Sequence, residues 1–153
     1  MCLVLYLGSD ADLPLIAPQD SSTIDYTDPL WPEKALAFSV QELAGDEKSV
    51  AAHFSSHLVR YAGSFEGCGC GFNACHRYEW ETPEEPDTRA LAGRNSRRLL
   101  RDYVAKHEVR EIYGCWSGDE GLDSVDSLDI APDQLIDWSF KIPERTLLRI
   151  IAS

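Results

Sequence analysis

The chain has 153 residues, 44% of them apolar and 26% charged, and its 26 acidic against 14 basic residues set a formal net charge of -12. A chain of that length buries about 68–70% of its unfolded surface without disulfide staples, and its near-average composition excludes the disordered and fibrous classes. The negative charge excludes sequence-independent nucleic-acid binding, which depends on neutralising phosphates. No apolar run approaches the roughly 18 residues that span a bilayer, so no membrane association is expected. The five cysteines, an odd number with no export signal before CLVLYLG, predict reduced thiols in a cytoplasmic protein.

CLVLYLG at 2–8 is a nearly continuous apolar run of strand length, and SDADLP ends it with turn residues, which predicts a central strand. From 9 to 33 the prolines at 14, 18, 29 and 32 predict a long irregular excursion. Strands are then expected at 35–43, 49–54 and 57–63, with GDEK turning between the first two. Val50, Phe54, His57, Leu58 and Tyr61 also fall at helical spacing, so one amphipathic helix competes with the second and third strands. The clearest helix runs from 87 to 107, with Asp87 as N-cap and Ala92, Leu99, Leu100, Tyr103 and His107 on its apolar side. A strand follows at 108–116, then an acidic stretch, and WSFKI and LLRII around PERT predict a terminal hairpin. The expected fold is a single α+β domain, a mostly antiparallel sheet packed on one long amphipathic helix.

Chemistry concentrates in one segment. Of five cysteines and four histidines, six lie between 53 and 76: His53, His57, Cys68, Cys70, Cys75 and His76. Thiolate and imidazole ligands suit zinc, and Cys68, Cys70, Cys75 and His76 are the candidate metal ligands, with His53 as an additional one. Glycines at 67, 69 and 71 allow the backbone to wrap an ion. The Cys-x-Cys pair is tighter than the usual spacing of structural zinc sites. On a strand His53 and His57 stand roughly 13 Å apart and cannot share an ion; on a helix they approach to roughly 6 Å. Two other readings of GCGCGF remain open: a redox thiol pair, and a tight bend that places small side chains where larger ones clash. The glycines do not form a phosphate loop, because NACHRYEW rather than a clear helix follows them.

MCLVLYLGSD resembles the first residues of N-terminal-nucleophile hydrolases of the choloylglycine hydrolase type. The resemblance implies that removal of Met1 exposes Cys2 as a thiolate nucleophile, with its own α-amino group as general base. It covers under a tenth of the chain and carries over to Cys2 alone.

Arg94, Arg97, Arg98 and Arg101 gather opposite the helix's apolar side, a candidate anion-binding stripe if the acids at 79–87 do not neutralise it. Asp119, Glu120, Asp123, Asp126 and Asp129 lack calcium-loop spacing and read as a solvated face. Three functions follow as expectations: a metal or thiol site in GCGCGFNACH, a non-catalytic acidic module that binds a basic protein, and an amide hydrolase using Cys2.

Overall fold

The computed structural model describes residues 2–18, 38–75 and 88–151. Strand β1, Leu3–Ser9, is buried along its whole length because it lies inside the sheet and both faces of the sheet are covered. β2 (Phe38–Gln41), β3 (Leu58–Ser64), β4 (Glu111–Trp116), β5 (Asp126–Ile130) and β6 (Thr146–Ile150) complete a six-stranded sheet in the order β2-β3-β1-β4-β6-β5. Helix α1 spans Thr88–Lys106. The odd positions of β1 point to it: Leu5 and Leu7 join Phe38, Val40, Leu100, Tyr103, Val104 and Ile112 in the main core. The even positions, Val4 and Tyr6, pack with Val50, Phe54, Tyr113 and Cys115 in a smaller core on the other face. In register across the central strands, Tyr6 stands opposite Tyr61 on β3 and Tyr113 on β4.

The α+β class is as expected, but the sheet is mixed. β1, β2, β3, β4 and β6 pair antiparallel, whereas β5 runs parallel to β6. The expected terminal hairpin is therefore absent. β6 is reached from β5 through a 3₁₀ turn at Pro132–Ile136 and a loop, and that loop contains WSFKI. Ile142 is buried and Phe140 half-buried against the main core, so these residues pack beside α1 rather than extending the sheet. β5 comes from the acidic stretch, whose exposed residues gave no apolar alternation to mark a strand.

The expected strand at 49–54 is instead the end of a 3₁₀ helix, Gly45–His53. Ala51 and Ala52 are exposed while Val50 and Phe54, four residues apart, are buried, so helical rather than alternating spacing governs this piece, and β3 begins only at Leu58. Glu111 ties the junction down: its buried carboxylate accepts the Ser56 N–H at 2.8 Å and Ser55 N–H at 3.1 Å, together with both serine hydroxyls.

Helix α1 has 19 residues, a little shorter than the 87–107 span, and Asp87 lies outside the described residues. It buries more than one stripe: Ser96 and Arg97 are buried as well as Leu100, Tyr103 and Val104, because Ser96 meets Phe65 after β3 and the 131–142 segment, through Leu135 and Phe140, covers Arg97. Among the described residues no helix is long and apolar enough to cross a membrane.

Candidate metal centre

The antiparallel register of β1 and β3, which pairs Leu5 with Ala62, carries the start of β1 alongside the turn that leaves β3. That turn folds back on itself: Ser64 N–H donates to the Cys68 carbonyl at 2.9 Å, and Gly67 N–H donates to the Ser64 carbonyl at 2.9 Å. Gly67 has φ +84°, a left-handed conformation that glycine adopts without a Cβ clash. Gly69 then lies directly on β1. Its N–H donates to the Leu3 carbonyl at 2.8 Å, and a Cβ placed on it would stand 3.0 Å from the Leu3 oxygen and 3.2 Å from the Leu5 nitrogen. Cys70 opens a short 3₁₀ turn, Cys70–Asn73, and its Sγ accepts the Leu3 N–H at 3.2 Å.

The result is a group of three thiols. The Sγ atoms of Cys2, Cys68 and Cys70 all lie within 4.8 Å of one another, with Cys2 exposed and the other two half-buried. A zinc–sulfur bond of about 2.3 Å in a tetrahedron places its sulfurs roughly 3.8 Å apart. The group is therefore within about 1 Å of holding distance on every side. Its donors are soft, as zinc and other thiophilic cations prefer, and its exposed corner at Cys2 is an entry path. The Leu3 N–H on Cys70 is the sort of outer hydrogen bond that fixes a ligating sulfur. The three-thiol group could hold a metal ion.

Burial pushes the Cys68 thiol up to about 12; the backbone hydrogen bond from Cys70 opposes the rise, while the Cys70 side chain and a hydrogen bond with Cys2 add to it. Tyr61, whose hydroxyl donates to the Gly67 carbonyl at 2.8 Å, is also held well above its ordinary value, first by burial and then by Cys68. The pocket is thus one that disfavours added negative charge unless a cation accompanies it.

Of the other expected ligands, Cys75 and His53 lie elsewhere. Cys75 is buried with its Sγ 3.5 Å from the Phe72 carbonyl, outside the three-thiol group; burial raises its pKa, and Arg97 and Arg94 oppose the rise. The 3₁₀ turn at 70–73 carries the chain away from Cys70, so the sequence neighbours Cys70 and Cys75 do not converge. His53 Nε2 lies 2.8 Å from the Glu120 carbonyl, and its ring stacks on Tyr113 at 4.3 Å, so it serves the smaller core. His76 falls outside the described residues.

The four arginines do not make one open stripe. Arg97 is 1% exposed, and its guanidinium donates to the carbonyls of Phe72, Leu135 (2.9 Å) and Phe140 (2.7 Å) and to Asn73 Oδ1 (3.2 Å). Burial lowers its pKa, countered by Cys75 and Asp137. Arg94 donates to the Cys75 carbonyl at 3.1 Å. Arg101 pairs with Asp102 and Asp133 at 2.7 and 2.8 Å, and Arg98 stacks over Trp138 at 5.2 Å. The wheel placed all four toward solvent because it could not show that the 131–142 segment folds over that flank.

No family model, curated protein or solved structure matches the chain. Its chemistry is read from its own residues. Cys2 is the residue that the sequence reading left out of the thiol cluster. The signal that would have included it is the pairing of the first strand with the one before GCGCGF, which brings residue 2 alongside the turn that leaves that strand and folds Cys68 back toward it.

Proposed function

We propose that this is a metal-binding protein that holds one thiophilic cation, zinc by donor chemistry, through Cys2, Cys68 and Cys70. The observation that carries the reading is the convergence of three sulfurs within 4.8 Å of one another, one of them, that of Cys2, brought from 66 residues before Cys68 in sequence. Structural zinc sites are closed by four protein ligands, whereas catalytic sites keep one position open. Three thiols favour the open kind, a site able to take an exogenous fourth ligand. Elemental analysis of reduced, purified protein tests the reading. One equivalent of zinc, retained on gel filtration and removed by a chelator, supports it; folded protein that takes up no zinc from a micromolar solution overturns it.

A second reading rests on the acidic flank. No lysine or arginine occurs between Ser117 and Phe140, and β5 forms an edge of the sheet with Val125 and Leu128 exposed beside Asp126. Such an edge suits an extended segment of a basic protein. Binding of a Lys-rich peptide that weakens with salt and is lost in Asp126→Lys supports this reading; salt-insensitive or absent binding overturns it.

A further inference from the structure

Cys70 faces two ways. Besides belonging to the thiol group, it lines a cleft of about 750 Å³ between the starts and ends of the central strands and the 141–144 segment. That volume is within the roughly 300–1,000 Å³ of small-molecule sites. Leu3 and Ile142 supply apolar wall, and the indole of Trp116, 37% exposed, supplies a flat aromatic surface.

The charged lining is unusual for this chain. In a protein with 26 acids and 14 bases, the cleft presents, among the described residues, Arg89 and Lys141 against one lining acid, Glu144. Arg89 is partly held in place by Glu66 at 3.3 Å, and Lys141 is exposed. The frame is rigid. Asn73 donates to the Ile142 carbonyl at 3.0 Å and accepts the Ile142 N–H at 2.9 Å, which clips the 141–144 lip to the turn that carries Cys70. Arg97 in turn donates to the same Asn73 oxygen at 3.2 Å. A preformed wall loses little ordering entropy when a ligand enters.

We infer that this cleft binds a small organic anion, a carboxylate or phosphate monoester carried on a flat apolar body. The head is recognised by Arg89 and Lys141 and the body by Trp116 and its apolar neighbours. The cleft goes beyond the metal reading and does not require it; the shared Cys70 would place such a ligand beside a thiol-held cation. The overall negative charge of the chain repels anions at long range, so saturable anion binding has to come from a local site.

Calorimetric titration with benzoate and phenyl phosphate, and with neutral benzyl alcohol, tests the inference, with metal content measured on the same samples. The expected result is one-to-one binding of an anionic probe with Kd of about 1 mM or tighter. It should weaken at least about tenfold in Lys141→Glu and in Trp116→Ala, with benzyl alcohol at least about tenfold weaker than the anions. The control Lys106→Glu, at the exposed end of α1, should leave it unchanged. No saturable binding by about 20 mM, or equal weakening in Lys106→Glu and Lys141→Glu, overturns the inference. Because an anion can also ligate a cation held by the three thiols, the titrations are repeated on zinc-free protein, where saturable binding reports the cleft alone, so failure of the cleft and failure of the thiol site are told apart.

Discussion

The backbone N–H of Leu3 donates to Cys70 Sγ at 3.2 Å, across a sequence separation of 67 residues. This bond, with Gly69 N–H on the Leu3 carbonyl, pins the thiol turn to the first strand of the sheet. The position of Gly69 makes the contact possible, because the atoms that a Cβ would meet are backbone atoms of β1, which cannot swing aside. Gly69→Ala should therefore cost about 1–3 kcal/mol and weaken cation binding as well, since the turn must lift away from Leu3. Urea unfolding with and without zinc checks both; an alanine protein of unchanged midpoint contradicts the contact.

Serine substitutions should divide the cysteines into two groups. Cys2→Ser, Cys68→Ser and Cys70→Ser each remove a thiolate donor and should weaken cobalt(II) binding by about 100-fold or more, with loss of the sulfur-to-cobalt absorption band. Cys75→Ser should keep the band and lose stability instead, by about 1–2 kcal/mol, because its thiol is buried away from the group. A band that survives Cys2→Ser but vanishes in Cys75→Ser would reverse the assignment.

Arg97 should be the arginine of α1 on which stability depends most. Arg97→Leu leaves the carbonyls of Phe72, Leu135 and Phe140 and the Asn73 oxygen without their donor. At about 1–3 kcal/mol for each unsatisfied buried group, with partial relaxation, the loss should reach at least about 3 kcal/mol. Arg98→Ala, exposed and in contact with Trp138, should cost no more than about 1 kcal/mol. Thermal unfolding of the two variants gives the comparison.

Alkali should destabilise the fold through two buried acids, the Cys115 thiol and the Tyr103 hydroxyl. Burial, reinforced by Glu120 and Asp119, pushes Cys115 up to about 12. Burial, reinforced by Asp12 and opposed by Arg60, pushes Tyr103 up to about 12 as well. Both folded-state values lie above the unfolded ones, about 8.5 for cysteine and about 10 for tyrosine. Their contribution is thus complete below about pH 8.5 and declines as pH rises toward 12. Urea midpoints measured from pH 7 to 11 should hold level at first and then fall, and Cys115→Ala should fall less steeply between pH 9 and 11 than the parent protein.

What the sequence revealed follows from which signals are local. The run from Cys2 to Gly8 announced a central strand because every residue but the glycine is apolar, and Leu3–Ser9 is that strand. The helix at 88–106 was legible from its periodicity. β5 was hidden because a strand exposed along most of its length carries no apolar alternation, and its parallel partner is set by the distant packing of 137–143. Val50 and Phe54 obeyed helical spacing while Leu58 began a strand, so a single choice over 49–61 could not fit both. Around the thiols, proximity in sequence was a poor guide to proximity in space: Cys75 is five residues from Cys70 yet apart from it, while Cys2 is brought in by the sheet.

The strand order has a consequence for how the thiol group comes into being. β1 is the earliest strand in sequence, but its neighbours are β3 and β4, more than fifty and more than a hundred residues downstream. Such distant pairings give a high contact order and slow the search for the native arrangement. Cys2 therefore spends the growth of the chain apart from Cys68 and Cys70, and the three sulfurs meet only when β3 closes on β1. A thiophilic cation that binds all three would act as a clasp on that closure, holding the first strand against the third while β4 arrives.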